Sequence, residues 1–306
     1  MKRFALIGAA GYIAPRHMKA IKETDNELVA IHDIADSVGI IDSYFPNAKY
    51  FQEFERFERY VDKMRRGGTP IDYLSICTPN YLHDVHIRFA LQNDMIAICE
   101  KPLVVSPWNL SILKEMDGLA GGKVFSIVQS RLHPSIEELK KKMVHEHGVC
   151  DVTLTYITTR GDWYLYSWKG NEKKSGGLVY NIGIHLFDIL SWVFGRAKEN
   201  VVHVYEPRRA AGYLQLEKAN VKWYLSINQG DLPNTDSRMR RSMIVNGEDI
   251  DFTTGFEDLH TQSYQNILGG GGYRPSDVEE GIRIAYDIKQ SKPSGVRGTV
   301  HPLLKQ

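Results

Sequence analysis

Lys101 stands between Glu100 and Pro102, directly after the apolar run of residues 95–99, "MIAIC". A charged pair ends what otherwise reads as a buried strand. Farther along, "YNIGIHLFD" carries Asn181 and His185 four residues apart, a spacing that puts both on one helix face. A histidine titrating near neutrality can take the proton of an alcohol. A lysine cation can hold the developing alkoxide charge and, by like-charge repulsion, lower the proton affinity of the histidine. Asn181 cannot act as a base, but its amide can orient a hydroxyl group. These types suit oxidation of a secondary alcohol, in which a hydride leaves for an acceptor while the hydroxyl proton leaves for a base. Asp188, three residues beyond His185, admits two readings: it orients the imidazole, or it makes a buried polar contact of its own helix.

The hydride acceptor is implied near the start. The first apolar run ends in Gly8-Ala9-Ala10-Gly11-Tyr12-Ile13 and passes straight into a helical pattern. Small residues there let the backbone approach a pyrophosphate, which a helix N-terminus favours through its free N–H groups and dipole. The spacing departs from GxGxxG. Asp33, at the end of the next strand, can accept hydrogen bonds from adenosine ribose hydroxyls and repels a 2′-phosphate, so the cofactor expected is NAD in preference to NADP. In an open parallel sheet the ligand crevice lies beyond the carboxyl ends of the strands. Cys77, Thr78, Pro79 and Asn80 belong at that edge, and so do Glu100 and Lys101; Asn80 could alternatively serve only as a helix cap. His83 and His86 are spaced for a metal pair, but no carboxylate or cysteine completes the set, so no metal is expected.

The elements that must position these groups fall into two textures. Over residues 1–125, "RFALIG", "ELVAIHD", "IDYLSICTP", "DMIAICEKP" and "KVFSIVQS" read as strands covered on both faces. Between them "APRHMKAIKETD", "LHDVHIRFALQN" and "WNLSILKEMDGLA" carry helical periodicity. Such alternation predicts an α/β domain, a doubly wound parallel sheet of Rossmann type. Over residues 126–306 six alternating segments, from "CDVTLTYITTRG" to "EDIDFTTG", predict an α+β domain with a mostly antiparallel open sheet, with helices near 181–194 and 276–290. "GGGGY", 269–273, reads as a mobile loop.

Composition excludes several classes. With 42% hydrophobic and 25% charged residues the chain is of ordinary globular type, and its net charge of +1 offers no global field for nucleic acid. No apolar stretch approaches the roughly 20 residues that a membrane helix needs. Three cysteines make no disulfide framework, which fits a reducing, cytoplasmic setting.

Taken together, the early glycine loop, "TPNYLH", "EKP" and "GIHLFD" resemble the Gfo/Idh/MocA oxidoreductase family, and the likeness continues through "SWKGNEKKSGGLVYNIGIHLFD". The family pattern has a Trp-Arg pair before its Gly-Gly element; here it is Trp168-Lys169, which weakens bidentate recognition at that point. Where many members carry an aspartate four residues before the histidine, this chain has Asn181. The stretches "GAAGYIAPRHMKAI", "TTRGDWYLYSWKG" and "SMIVNGEDIDFTTGFEDLHTQSY" are similar to the nucleotide-sugar 3-dehydrogenases of bacterial O-antigen synthesis. That resemblance implies NAD-dependent oxidation of UDP-2-acetamido-2-deoxy-D-glucuronate at C3, a homotetramer, and 2-oxoglutarate as a hydride acceptor. The family resemblance also implies His83, Gln129, Trp168 and Lys169 as further cofactor contacts. Lys101, Asn181 and His185 are the expected catalytic set. Arg160 and Tyr164 join them in substrate binding, Arg160 toward an anionic group. Arg238, Arg240 and Arg241 form either a second anion site or a solvated strand edge. Dehydrogenation of another sugar or polyol, or NAD sensing without catalysis, remain as other readings.

Overall fold

The protein is represented by a computed structural model that describes residues 1–233 and 238–305. The chain forms two compact units: Met1–Val104, Trp108–Gln129 and Glu257–Val278 make the first, and Val105–Pro107, Ser130–Phe256 and Glu279–Gln306 the second.

The first unit runs β1 (Arg3–Ile7), α1 (Ala14–Glu23), β2 (Glu27–His32), β3 (Lys49–Phe51), α2 (Phe54–Arg66), β4 (Tyr73–Ile76), α3 (His83–Gln92), β5 (Ile96–Glu100), α4 (Pro107–Leu119) and β6 (Val124–Ile127). Its strands lie in the order β3-β2-β1-β4-β5-β6, all parallel, the doubly wound arrangement. Register decides what this sheet presents. Ile7 pairs with both His32 and Ile76, and Ile76 pairs with Cys99, so four strands end side by side. Gly8, Asp33, Cys77 and Glu100 therefore reach the same edge. Between β1 and β6 two elements went unmarked by the sequence pattern: β3 has three residues, and α2 buries only Phe57 and Val61 on an otherwise polar surface.

The second unit contains α5 (Pro134–His145), β7 (Cys150–Thr158), α6 (Trp163–Tyr166), α7 (Glu172–Ser175), α8 (Ile184–Phe194), β8 (Ala197–Tyr205), β9 (Arg209–Leu216), β10 (Ala219–Ser226), β11 (Met239–Val245) and β12 (Glu248–Ile250). After these, α9 (Leu259–Leu268) returns to the first unit and α10 (Glu279–Gln290) to the second. The second sheet has the order β12-β11-β7-β10-β9-β8, antiparallel except for the central pair β7 and β10. All six strands expected from alternation are present. Buried Trp223 of β10 meets Phe187 of α8 edge to face, ring centroids 5.5 Å apart, which seats the helix on the sheet.

Three expectations need correction. The division does not fall at 125 and 126, because 126–129 stay with the first unit and 257–278 return to it. The cause is α9, which packs on α1 and contributes buried Tyr264 and Ile267 to the first core. "GGGGY" is fitted into the fold: Ser126 N–H donates to Tyr273 O at 2.8 Å, and a Cβ on Gly272 would lie 2.7 Å from the Phe125 ring. Finally, Glu172–Phe194 is long and apolar enough by length and composition to cross a membrane, yet 83% of its apolar window is buried inside the protein. It is the core helical segment of the second unit.

Candidate functional site

In the first unit the turn after β1 is closed by Gly11 N–H donating to Gly8 O at 3.1 Å. Gly8 has φ +93°, and a Cβ there would stand 2.6 Å from the Cys77 carbonyl carbon, so only glycine lets β1 and β4 emerge this closely. Asp33 holds the turn from the side: its Oδ2 accepts the Ala10 N–H at 2.8 Å and its Oδ1 the Ala35 N–H at 2.8 Å. Each oxygen keeps further lone-pair capacity. Tyr12 is exposed and Ile13 half-buried on the way into α1. Gln129 follows β6 with its Oε1 buried and without a hydrogen-bond partner among the described residues. A bare backbone cradle, a carboxylate with spare acceptors and an orphaned amide oxygen fit a dinucleotide.

The loop after β4 is a rigid piece. Thr78 Oγ1 meets His86 Nδ1 at 3.0 Å, and Asn80 is buried. Burial pulls His86 down to a pKa of about 4. His83 is also fully buried, its Nδ1 against Pro102 O at 2.7 Å and its Nε2 against Thr78 O at 2.8 Å. Both partners are carbonyl acceptors, so the neutral imidazole donates its single N–H to one of them while lying between the two crevice loops. Burial pushes the Cys77 thiol well above its ordinary pKa, with the Glu100 charge adding to the effect. The three cysteines are buried and unpaired.

The Glu100 side chain is turned into the protein. It is 5% exposed and faces inward, where its Oε1 meets His17 Nε2 at 2.9 Å and His260 Nε2 at 3.0 Å. His17, Glu100 and His260 could by donor type hold a metal. Their separations are those of imidazole N–H groups donating directly to a carboxylate. Lys101 follows, half-buried, and its bond to Pro102 is cis. Neither His17 nor His260 was singled out from sequence. No local signal marks a pair of residues more than 240 positions apart, one of them on a helix the periodicity did not show.

In the second unit, residues 175–190 are buried throughout except at Asn181 and His185, which keep partial exposure. Asn181 lies in a π-helical turn, Val179–Gly183, that leads into α8. Turns of this kind are frequent at functional sites. Asn181 Nδ2 donates to the buried Tyr164 hydroxyl at 2.6 Å, and burial raises the pKa of that phenol. Tyr164 therefore supports Asn181 from within.

Arg160, in the loop after β7, is held by Thr158 Oγ1 at 2.8 Å and Thr159 O at 3.0 Å. Lys169 Nζ lies over the rings of Trp163 and Trp168, 5.1 and 5.7 Å from their centroids. Its pKa is lowered by burial and then by the Arg160 charge. Two cations among aromatic faces make this corner suited to an anion. Asp188 matches the buried-contact reading: it takes a bidentate pair from Arg131, at 2.8 and 2.7 Å, with both groups buried. Arg241, one of the three candidate arginines, is packed among aromatic rings. Its guanidinium is packed against Tyr156, Phe252 and Phe256, the last at 4.6 Å, and bonds Phe252 O and the Tyr156 hydroxyl.

Comparison with known proteins places this geometry. Residues 2–125 match the family model described as oxidoreductase family, NAD-binding Rossmann fold, and residues 141–232 match that of the oxidoreductase family C-terminal alpha/beta domain. The structure is similar to that of the WlbA (WbpB) dehydrogenase from Thermus thermophilus in complex with NAD and alpha-ketoglutarate. The TM-score is 0.96 at 47% identity, covering 99% of each chain. The same dehydrogenase in complex with NAD and UDP-GlcNAcA gives a TM-score of 0.95 at 47% identity, again over 99% of each chain. A curated relative, glucose-6-phosphate 3-dehydrogenase from Bacillus subtilis, is 25% identical over 63% of this chain, a match that spans only 54% of that relative.

Proposed function

Because the chain belongs to the Gfo/Idh/MocA oxidoreductase family, we propose that it oxidises the C3 hydroxyl of UDP-2-acetamido-2-deoxy-D-glucuronate to the 3-keto sugar with NAD, in bacterial O-antigen synthesis. The observation that carries this reading is the likeness at 47% identity over 99% of each chain to a dehydrogenase solved with NAD and UDP-GlcNAcA.

Gly8, Ala10, Gly11, Tyr12 and Ile13 hold the pyrophosphate, and Asp33 the adenosine ribose. Residues 77–80 and Gln129 line the same strand edge, while Trp168 and Lys169 complete the binding set. When bound, NAD supplies the acceptor for the hydride leaving C3. His185 Nε2 or Nδ1 takes the C3 hydroxyl proton, Lys101 stabilises the alkoxide charge, and Asn181 orients the hydroxyl from its Tyr164-supported position. Arg160 pairs with the sugar carboxylate. 2-oxoglutarate would be the acceptor that reoxidises the reduced cofactor, with His185 returning its proton to the C2 oxygen as 2-hydroxyglutarate forms.

We place the enzyme in the cytoplasm, a reading supported by three buried free thiols. We propose a homotetramer built through the antiparallel sheets of the second units, whose broad faces would otherwise stand in water. Light scattering at several concentrations tests the assembly.

The test of function follows the mass of the sugar, with and without 2-oxoglutarate, and locates the lost hydrogens by NMR. Loss of two hydrogens at C3 is expected, with the neutral UDP-N-acetylglucosamine turned over more slowly. Oxidation at C4, or equal turnover of the neutral sugar, refutes the substrate assignment.

A further inference from the structure

Where α1 and α9 meet, a buried polar chain ends on the residue before Lys101. Ser75 Oγ lies 2.6 Å from the Tyr264 hydroxyl, which lies 2.7 Å from His17 Nδ1. His17 Nε2 and His260 Nε2 converge on Glu100 Oε1, their rings edge to face at 5.3 Å. The second carboxylate oxygen accepts the Lys101 N–H at 3.2 Å.

The charge on Glu100 dictates the direction of every proton in this chain. An ionised carboxylate only accepts, so both histidines present Nε2–H to it. His17 Nδ1 is then a bare lone pair that takes the Tyr264 O–H, and the Tyr264 oxygen takes the Ser75 proton. Burial lowers the pKa of His17, which keeps it neutral and its Nδ1 available. Burial alone would raise the Glu100 carboxyl, but the hydrogen bonds from His17 and His260 hold it well below the ordinary carboxylate range. Two further ties, Lys19 to Asp258 at 2.7 Å and Thr261 to Glu23 at 2.8 Å, fix α9 against α1.

We propose that Glu100, gripped by His17 and His260, is a positioning residue for Lys101, and that α9 serves the chemistry through His260. The carboxylate is anchored on one side by two helices. On the other it holds the peptide that carries the reacting lysine. This inference rests on the assignment of Lys101 to the chemical step.

The test compares His260→Leu, which fills the space without a donor, with His260→Gln, which keeps an N–H able to reach Glu100. Each is made alone and combined with Lys101→Ala. Melting temperature, NAD affinity and single-turnover hydride transfer from UDP-2-acetamido-2-deoxy-D-glucuronate are measured well below the melting temperature. NAD affinity should be unchanged. His260→Leu should slow hydride transfer by roughly 10- to 100-fold, the scale of a displaced reacting group, and His260→Gln should recover most of that loss. In the Lys101→Ala background the leucine change should cost nothing further, because the clamp acts only through the lysine. A normal rate in His260→Leu while Lys101→Ala is slow overturns the clamp alone, as do additive losses in the double variant. Normal transfer in Lys101→Ala overturns the lysine assignment and the clamp with it. If the leucine variant fails to fold, Tyr264→Phe removes the donor to His17 Nδ1; its slower transfer must likewise vanish in the Lys101→Ala background.

Discussion

Asp188→Asn should be among the most damaging single-atom changes in the second unit. Its carboxylate is the counter-charge of Arg131, with side chains 5% and 2% exposed, and both oxygens are engaged by the guanidinium. The surroundings are cationic. Lys140 donates to Trp192 O and has its pKa lowered by burial, then by Arg131 and Lys218. An amide at 188 keeps the shape but removes the charge and turns one acceptor into a donor facing a donor. Breaking a buried pair on one side costs about 3–5 kcal/mol, because the remaining ion stays desolvated. At roughly 2–4 °C per kcal/mol, the melting temperature should fall by about 6–20 °C. Thermal unfolding followed by circular dichroism, with denaturant titration at 25 °C as a cross-check, measures it. The control is Arg131→Met with Asp188→Leu, which removes both charges, lets methionine lie on Trp192, where Arg131 now sits at 5.6 Å, and should regain much of the loss. If Asp188→Asn unfolds within about 1 kcal/mol of wild type, or the double variant is no more stable than the single one, the unpaired-charge argument fails.

Other outcomes follow from single contacts. Asp33→Ala should weaken the preference for NAD over NADP, and wild-type protein that uses both cofactors equally in steady state would contradict the ribose role of Asp33. Gly8→Ala should abolish NAD binding, measured by calorimetry, since its Cβ would meet the Cys77 backbone at 2.6 Å and φ is +93°. His86 and His301 are pulled to about 4, chiefly by burial. A histidine of lowered folded pKa binds its proton more readily when unfolded. Its contribution is therefore complete above about pH 6.5 and lost as the pH falls toward about 4. Replacing His301, which bonds Thr155 at 3.1 Å and stacks on Tyr224, with Gln should flatten stability over that window; a curve as steep as wild type would show that His301 is not responsible.

Local pattern was enough for the elements that carry most of the site. Apolar runs ending on Gly8, Asp33, Cys77 and Glu100, separated by helical periods, specify parallel strands whose ends share an edge, because a βαβ unit has few other ways to bury both sheet faces. Alternation specified the second sheet for the same reason, and the spacing of Asn181 and His185 survives even though a π turn separates them. What only the tertiary structure decided depends on partners distant in the chain. Polar side chains such as His83, Glu100, Asp188 and Arg241 look available in sequence, since type and spacing report what a group can do and not what already occupies it. His83 lies between two loops, Asp188 is spent on Arg131, Arg241 on an aromatic cage, and Glu100 on His17 and His260. Helix α9 shows the limit most clearly. "LHTQSYQNIL" has no strong apolar stripe, because the face it buries includes His260, Thr261 and Tyr264, polar groups whose burial is favourable only once α1 and Glu100 supply their hydrogen bonds.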